Sequence, residues 1–155
     1  MRFLGSINHT LMARTAVVWA LVFAVVHAYW AAGGAAWMNG EPADTPAAQG
    51  YIAFITLLGL LGAAVAHGLV PASRSPLGRR SLVLLARAGG VALLAGVVIG
   101  ASRWLVDGSL NGDGASGVIT TVYFLVGGLL FTLVGWARER RALLRRPGKP
   151  VAGSA

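Results

Sequence analysis

Four long apolar stretches alternate with short polar segments along the chain. No charged side chain occurs at 15–40, 45–73 or 114–137, and a fourth apolar run at 81–102 is interrupted only by Arg87. A helix needs about 20 apolar residues to cross a bilayer, and each run is at least that long. We therefore predict four spans, at about 15–36, 51–70, 82–102 and 116–137.

The same runs predict helices, because they lack the period-two alternation of barrel strands. Only helices and closed barrels satisfy their backbone hydrogen bonds within lipid. The fold class is therefore all-α, a bundle of four transmembrane helices. The chain divides into an N-terminal segment at 1–14, a membrane domain at 15–137 and a tail at 138–155. A cleaved signal peptide is the alternative for the first span, whose apolar run exceeds the 7 to 15 residues of typical signals.

Charge is distributed unevenly between the two sides of this bundle. The N-terminal segment, the region around the second loop and the tail carry twelve of the thirteen basic residues, whereas four of the five acidic residues lie in the first and third loops. Positive charge marks the cytoplasmic side, so both termini are predicted to be cytoplasmic. The tail is expected to remain helical to Arg146, before Pro147, and to bind anionic lipid headgroups. No aromatic or groove-reading residues accompany its charge, which argues against nucleic acid as a partner.

Small residues recur on three spans at spacings that allow helices to approach closely. Such residues let helices pack in lipid. The first span has alanine every four residues from Ala16 to Ala32, and the third has Ala88, Ala92 and a GxxxG pair. The predicted packing positions are Ala20, Ala24, Gly59, Ala63, Gly96, Gly100, Gly127 and Gly128.

Ionisable residues near the outer face form the candidate binding or catalytic site. His27 borders the alanine face of the first span and is followed by Tyr29 and Trp30, whose alternative role is interface anchoring. The candidate outer-face site consists of His27, Tyr29, Trp30, Arg103 and Asp107, with Glu41, Asp44, Trp104 and Asp113 nearby.

Several chemistries are disfavoured by what the spans lack. The chain has no cysteine, which excludes thiol chemistry, and no span contains a carboxylate for proton-coupled transport. His27 and His67 are predicted at depths that differ by about 15 to 20 Å, too far apart to share a haem iron. Arg87 is predicted to reach the headgroups by snorkelling. We therefore expect no metal and no cofactor.

The segments "HAYWAAGG" in the first span and "YFLVGGLLFTLVGW" in the last, followed by a basic tail, resemble a family of small bacterial four-helix membrane proteins of unknown function. The resemblance implies a multi-pass protein of the bacterial cytoplasmic membrane and transfers no catalytic residue. It draws attention to His27, Tyr29, Trp30, Gly127 and Gly128.

Two functional hypotheses follow from these patterns. The first is a non-enzymatic accessory or scaffold protein that contacts a membrane protein partner or a second copy of itself. The alternative is a site at the outer face, centred on His27, that binds a small molecule, ion or lipid headgroup or catalyses a reaction.

Overall fold

The computed structural model describes residues 9–34, 45–70, 76–108 and 114–144, and these form four α-helices with no strand among them. The helices are α1 (His9–Ala31), α2 (Pro46–Leu69), α3 (Pro76–Asp107) and α4 (Gly114–Leu144). Each contains a segment long and apolar enough to cross a membrane. The predicted all-α class, with four helices of membrane-spanning length, is confirmed.

The limits of α1 and α2 are set by local sequence. Gly33 adopts a φ of 90°, and the Gly33 and Gly34 amides donate to the carbonyls of Trp30 and Tyr29. This is a Schellman ending, which requires a residue that tolerates positive φ. α1 therefore ends at Ala31, five residues before the predicted limit at 36. At α2, the Thr45 side chain accepts a hydrogen bond from the Ala48 amide, 3.2 Å away, so Thr45 caps the helix.

α3 and α4 are longer than the spans predicted for them. α3 runs for 32 residues and α4 for 31, because regular helix continues beyond the apolar run at one or both ends. α4 continues through the first seven residues of the tail to Leu144. The expected extension to Arg146 concerns residues that lie outside the described ranges.

The helices associate as two antiparallel hairpins, α1–α2 and α3–α4. Contacts are densest within each hairpin and sparser between α1 and α4 or α2 and α3. The described parts of α1 and α3 share no contact. The four helices therefore form a ring in which α1 and α3 are diagonally opposite.

Glycines define the contact between α3 and α4. A methyl group built on Gly90 would lie 3.0 Å from the Gly128 carbonyl oxygen, and one built on Gly128 would lie 3.1 Å from the Gly90 carbonyl oxygen. Both residues are buried. The two backbones touch here, which larger residues would prevent.

A buried cluster lies toward the end of the bundle where α2 and α4 finish. It includes Ala13, Leu69, Ala86 and Val134, one residue from each helix. α2 ends at Leu69, whereas α3 begins ten residues before Ala86 and α4 continues ten residues past Val134. The α3–α4 hairpin therefore extends beyond α2 by up to about 15 Å of helix. We call residues 76–87 and 135–144, which comprise this part and the residues at its base, the basic extension, because they include Arg79, Arg80, Arg87, Arg138, Arg140 and Arg141 against one acid, Glu139.

Candidate functional site

His27 is half-buried, and its side-chain hydrogen bond and its two ring contacts are with residues of α1. Its Nδ1 donates to the Phe23 carbonyl oxygen, 2.8 Å away and one turn earlier in the same helix. The imidazole packs against Phe23, with ring centroids 4.0 Å apart, and meets Trp30 edge-on at 4.9 Å. The Thr121 hydroxyl of α4 donates within its own helix, to the Gly117 carbonyl oxygen 2.8 Å away.

The structure divides the predicted outer-face residues between two helices. His27, Tyr29 and Trp30 lie at the end of α1, and Tyr29 is half exposed. Arg103 lies near the end of α3, the helix diagonally opposite, and is exposed. The side chains of Glu41, Asp44, Asp107 and Asp113 lie outside the described residues. Among the side chains that the structure describes, no three His, Asp or Glu residues cluster as a metal site would require.

The predicted packing positions lie at or near helix contacts. Ala20, Ala24, Gly59 and Ala63 are buried between α1 and α2 or close to that contact. A methyl group on Gly96 would lie 3.0 Å from the Phe124 ring, and one on Gly127 would overlap the Trp19 indole. Gly100 and Gly128 are buried.

Other members of the predicted small-residue stripes face outward. Ala28 of α1 and Ala32, just past the end of that helix, are exposed, and in α3, Ala88 and Ala92 are exposed. The buried small residues of α3 include Ala86 and Gly90 instead. A regular spacing of four identifies candidate faces, but it does not decide which of two adjacent faces contacts the neighbouring helix.

An aromatic cluster that was not predicted from the sequence joins the two hairpins. The Trp19 ring stacks on Tyr123 at 4.5 Å and on Phe23 at 5.6 Å, and meets Phe131 edge-on at 6.0 Å. The Tyr123 hydroxyl donates to the Trp19 carbonyl oxygen, 2.6 Å away. Trp19, Phe23 and His27 recur every four residues, a spacing that places them on one side of α1 and was the available signal.

An open apolar groove lies beside this cluster. Its volume is about 390 Å³, and its exposed lining is wholly apolar. The lining residues are Trp19, Val118, Ile119, Val122, Tyr123 and Val126. Such a surface can contact a lipid chain or an apolar helix, and it presents no exposed polar atom that could take part in a reaction.

Arg87 packs between α3 and α4. A methyl group on Gly135 would lie 2.9 Å from Arg87 Cγ and 3.5 Å from its Nε. Glycine at 135 thus leaves room for the aliphatic part of the arginine to lie across α4. Arg87 therefore differs from a side chain that extends freely into lipid, because the fold fixes where its stem lies.

No family model matches the chain, and no curated protein or solved structure matches it significantly. The helices and their apolar lengths define the class, a protein with four candidate membrane-spanning helices, and its role is inferred from its own residues.

Variants of His27 distinguish a structural role from a chemical one. His27→Gln is expected to be nearly neutral for thermal stability, and His27→Leu to lower it by less than about 1 kcal/mol, because hydrogen bonds in membrane helices contribute only about 0.6 kcal/mol on average. Glutamine cannot supply the pKa or lone pair of imidazole. A stable, correctly inserted His27→Gln protein that reproduces the phenotype of gene deletion would therefore support a functional histidine and contradict the structural role.

Proposed function

We propose that the protein is a non-enzymatic accessory or scaffold protein of the bacterial cytoplasmic membrane, and that it uses α3 to contact a partner within the bilayer. The resemblance of its first and last helices to small bacterial four-helix membrane proteins is consistent with this role.

The exposure of α3 carries the proposal. Only a small part of its apolar segment is buried, a smaller share than in any of the other three helices. Val91, Val98 and Ile99 are each more than half exposed along its length. Because α3 contacts α4 along one side only and α2 more sparsely, most of its circumference is available to another membrane helix.

Site-specific photocrosslinking tests whether this face meets a partner. A photoreactive residue is placed at Val98 of α3 or at Val25 of α1, two valines that are each 67% exposed. In intact membranes, we expect position 98 to crosslink to a stoichiometric membrane protein, with position 25 as the matched control. Purification in mild detergent should then recover the same companion. Labelling of lipid alone at both positions would contradict the proposal.

A second copy of the chain is the alternative partner for α3. A crosslinked product at twice the chain mass from position 98 would identify it, and the protein would then act as a homo-oligomeric scaffold. Mass spectrometry of the crosslinked product distinguishes this outcome from a different companion.

The orientation proposed here places both termini in the cytoplasm. Reporter fusions after Ser75 and Lys149 are expected to report a cytoplasmic position, and fusions after Asp44 and Gly112 an external one, because basic residues remain on the cytoplasmic side. A cytoplasmic signal from the Asp44 fusion would contradict the arrangement of four spans.

The second candidate function is the site centred on His27. It is favoured by the half-buried imidazole near the end of α1, where Trp30 contacts the ring. The His27→Gln comparison described above tests it.

A further inference from the structure

We propose that the basic extension binds the phosphate of an anionic phospholipid, with Arg80 and Arg87 of α3 as its principal contacts. This inference rests on the proposed location of the bundle in a membrane. It does not depend on a protein partner of α3. It also differs from lipid contact by the basic tail at 138–155, because it assigns the binding to arginines of α3.

Arg87 lies close to one end of the membrane-spanning part of the bundle. Arg87 packs against Gly135, which lies two residues before Ala137, the last residue of the apolar segment of α4. Trp136, which is partly exposed, adjoins Gly135, the residue that Arg87 packs against. Tryptophan is enriched where a membrane helix meets the headgroups. Arg87 therefore lies within about one helical turn of the end of the apolar segment, and its long side chain can reach the lipid phosphates from there.

Two arginines of α3 are spaced so that they share one side of the helix. Arg80 and Arg87 are seven residues apart, two helical turns, so both lie on the same side of α3. Arg80 is exposed, and Arg79 beside it is half-buried. An arginine at the hydrocarbon boundary and another two turns beyond it form a polar path along one helix, the arrangement that a headgroup extending from the bilayer surface would contact.

The aliphatic stem of Arg87 is held in place by its contact with α4. Gly135 leaves space in which the arginine stem lies against α4. The planar guanidinium pairs with phosphate through several N–H donors, and a fixed stem reduces the rotamer freedom lost on binding. The extension as a whole is net basic, because the sequence of α4 adds three arginines and one glutamate to it.

Native mass spectrometry of the full chain in detergent, with phosphatidylglycerol or phosphatidylcholine added, measures this binding. We expect phosphatidylglycerol to be retained preferentially. Arg87→Gln and Arg80→Gln should each weaken its binding about fivefold, the change expected for loss of one basic residue near an anionic surface. Two controls are matched: Arg103→Gln at the opposite end of α3, and Arg14→Gln on α1, both exposed arginines. Both controls should bind as the unmodified chain does.

Each other outcome overturns the inference. Equal retention of the two lipids would show no preference for anionic headgroups, and an equal loss in Arg14→Gln would show diffuse attraction without a site on α3. Inorganic phosphate and a short RNA are added separately; competition by either at the lipid's concentration would assign the arginines to a free anion or to nucleic acid. Thermal unfolding without lipid identifies variants that fold poorly, and Arg87→Lys then replaces Arg87→Gln, with weaker phosphatidylglycerol binding still expected. A failure of lipid binding leaves the crosslinking result at Val98 unaffected, so the two proposals fail separately.

Discussion

Gly90→Leu is expected to destabilise the protein by about 3 kcal/mol, the upper part of the range for overpacked sites, whereas Gly89→Leu should be neutral or slightly stabilising. At Gly90 even a methyl group would lie 2.5 Å from the Thr132 hydroxyl oxygen and 3.0 Å from the Gly128 carbonyl oxygen. Backbone and the buried Thr132 hydroxyl cannot move aside cheaply, so the added leucine must separate α3 from α4.

The neighbouring glycine supplies the control. A methyl group on Gly89 would meet nothing within 4 Å, and leucine favours helix over glycine by up to about 1 kcal/mol. Thermal unfolding in detergent, followed by circular dichroism, measures both variants. Similar losses at 89 and 90 would show that α3 does not contact α4 through Gly90.

Trp19→Ala should cost about 3 kcal/mol, as large-to-small changes at packed aromatic residues do, and should loosen the two hairpins from each other. The Trp19 ring stacks on Tyr123 of α4 and lies over Gly127 of the same helix. Its removal leaves a cavity between α1 and α4, where contacts are already fewer than within the hairpins.

Trp104→Ala is the matched control for that change, since Trp104 is 55% exposed near the end of α3. An exposed position of this kind should change stability by no more than about 0.5 kcal/mol. Cysteine pairs placed across α1 and α4 would report separation of the hairpins through reduced disulfide formation. An equal loss of stability in both variants would contradict the aromatic contact as the join between hairpins.

Hydropathy was sufficient to predict the four helices, but it predicted their ends and their contacts less well. Apolar runs of membrane-spanning length specify four helices because lipid leaves the backbone no other partner. The end of α1 depends on Gly33 adopting positive φ, a conformation that the adjacent Gly34 could also have adopted. A run of apolar residues continues past both, so hydropathy alone extended the helix too far.

Helix contacts were harder to predict because the chain is rich in alanine and glycine. Several faces of α3 carry small residues, and only the position of α4 decides that Gly90 is buried while Ala88 is exposed. The contact of Trp19 with Tyr123 joins residues more than a hundred positions apart, and a single sequence carries no signal for such a pair. The same limit applies to the outer-face residues, since the diagonal placement of α1 and α3 is a property of the assembled ring.

Helix α3 meets α4 backbone to backbone at Gly90 and Gly128, and its described part shares no contact with α1. A transmembrane helix can respond to a change in bilayer thickness by tilting. Because Gly90 and Gly128 hold α3 against α4, any tilt of α3 carries α4 with it and turns one hairpin relative to the other. The angle between the hairpins should consequently depend on the thickness of the surrounding bilayer.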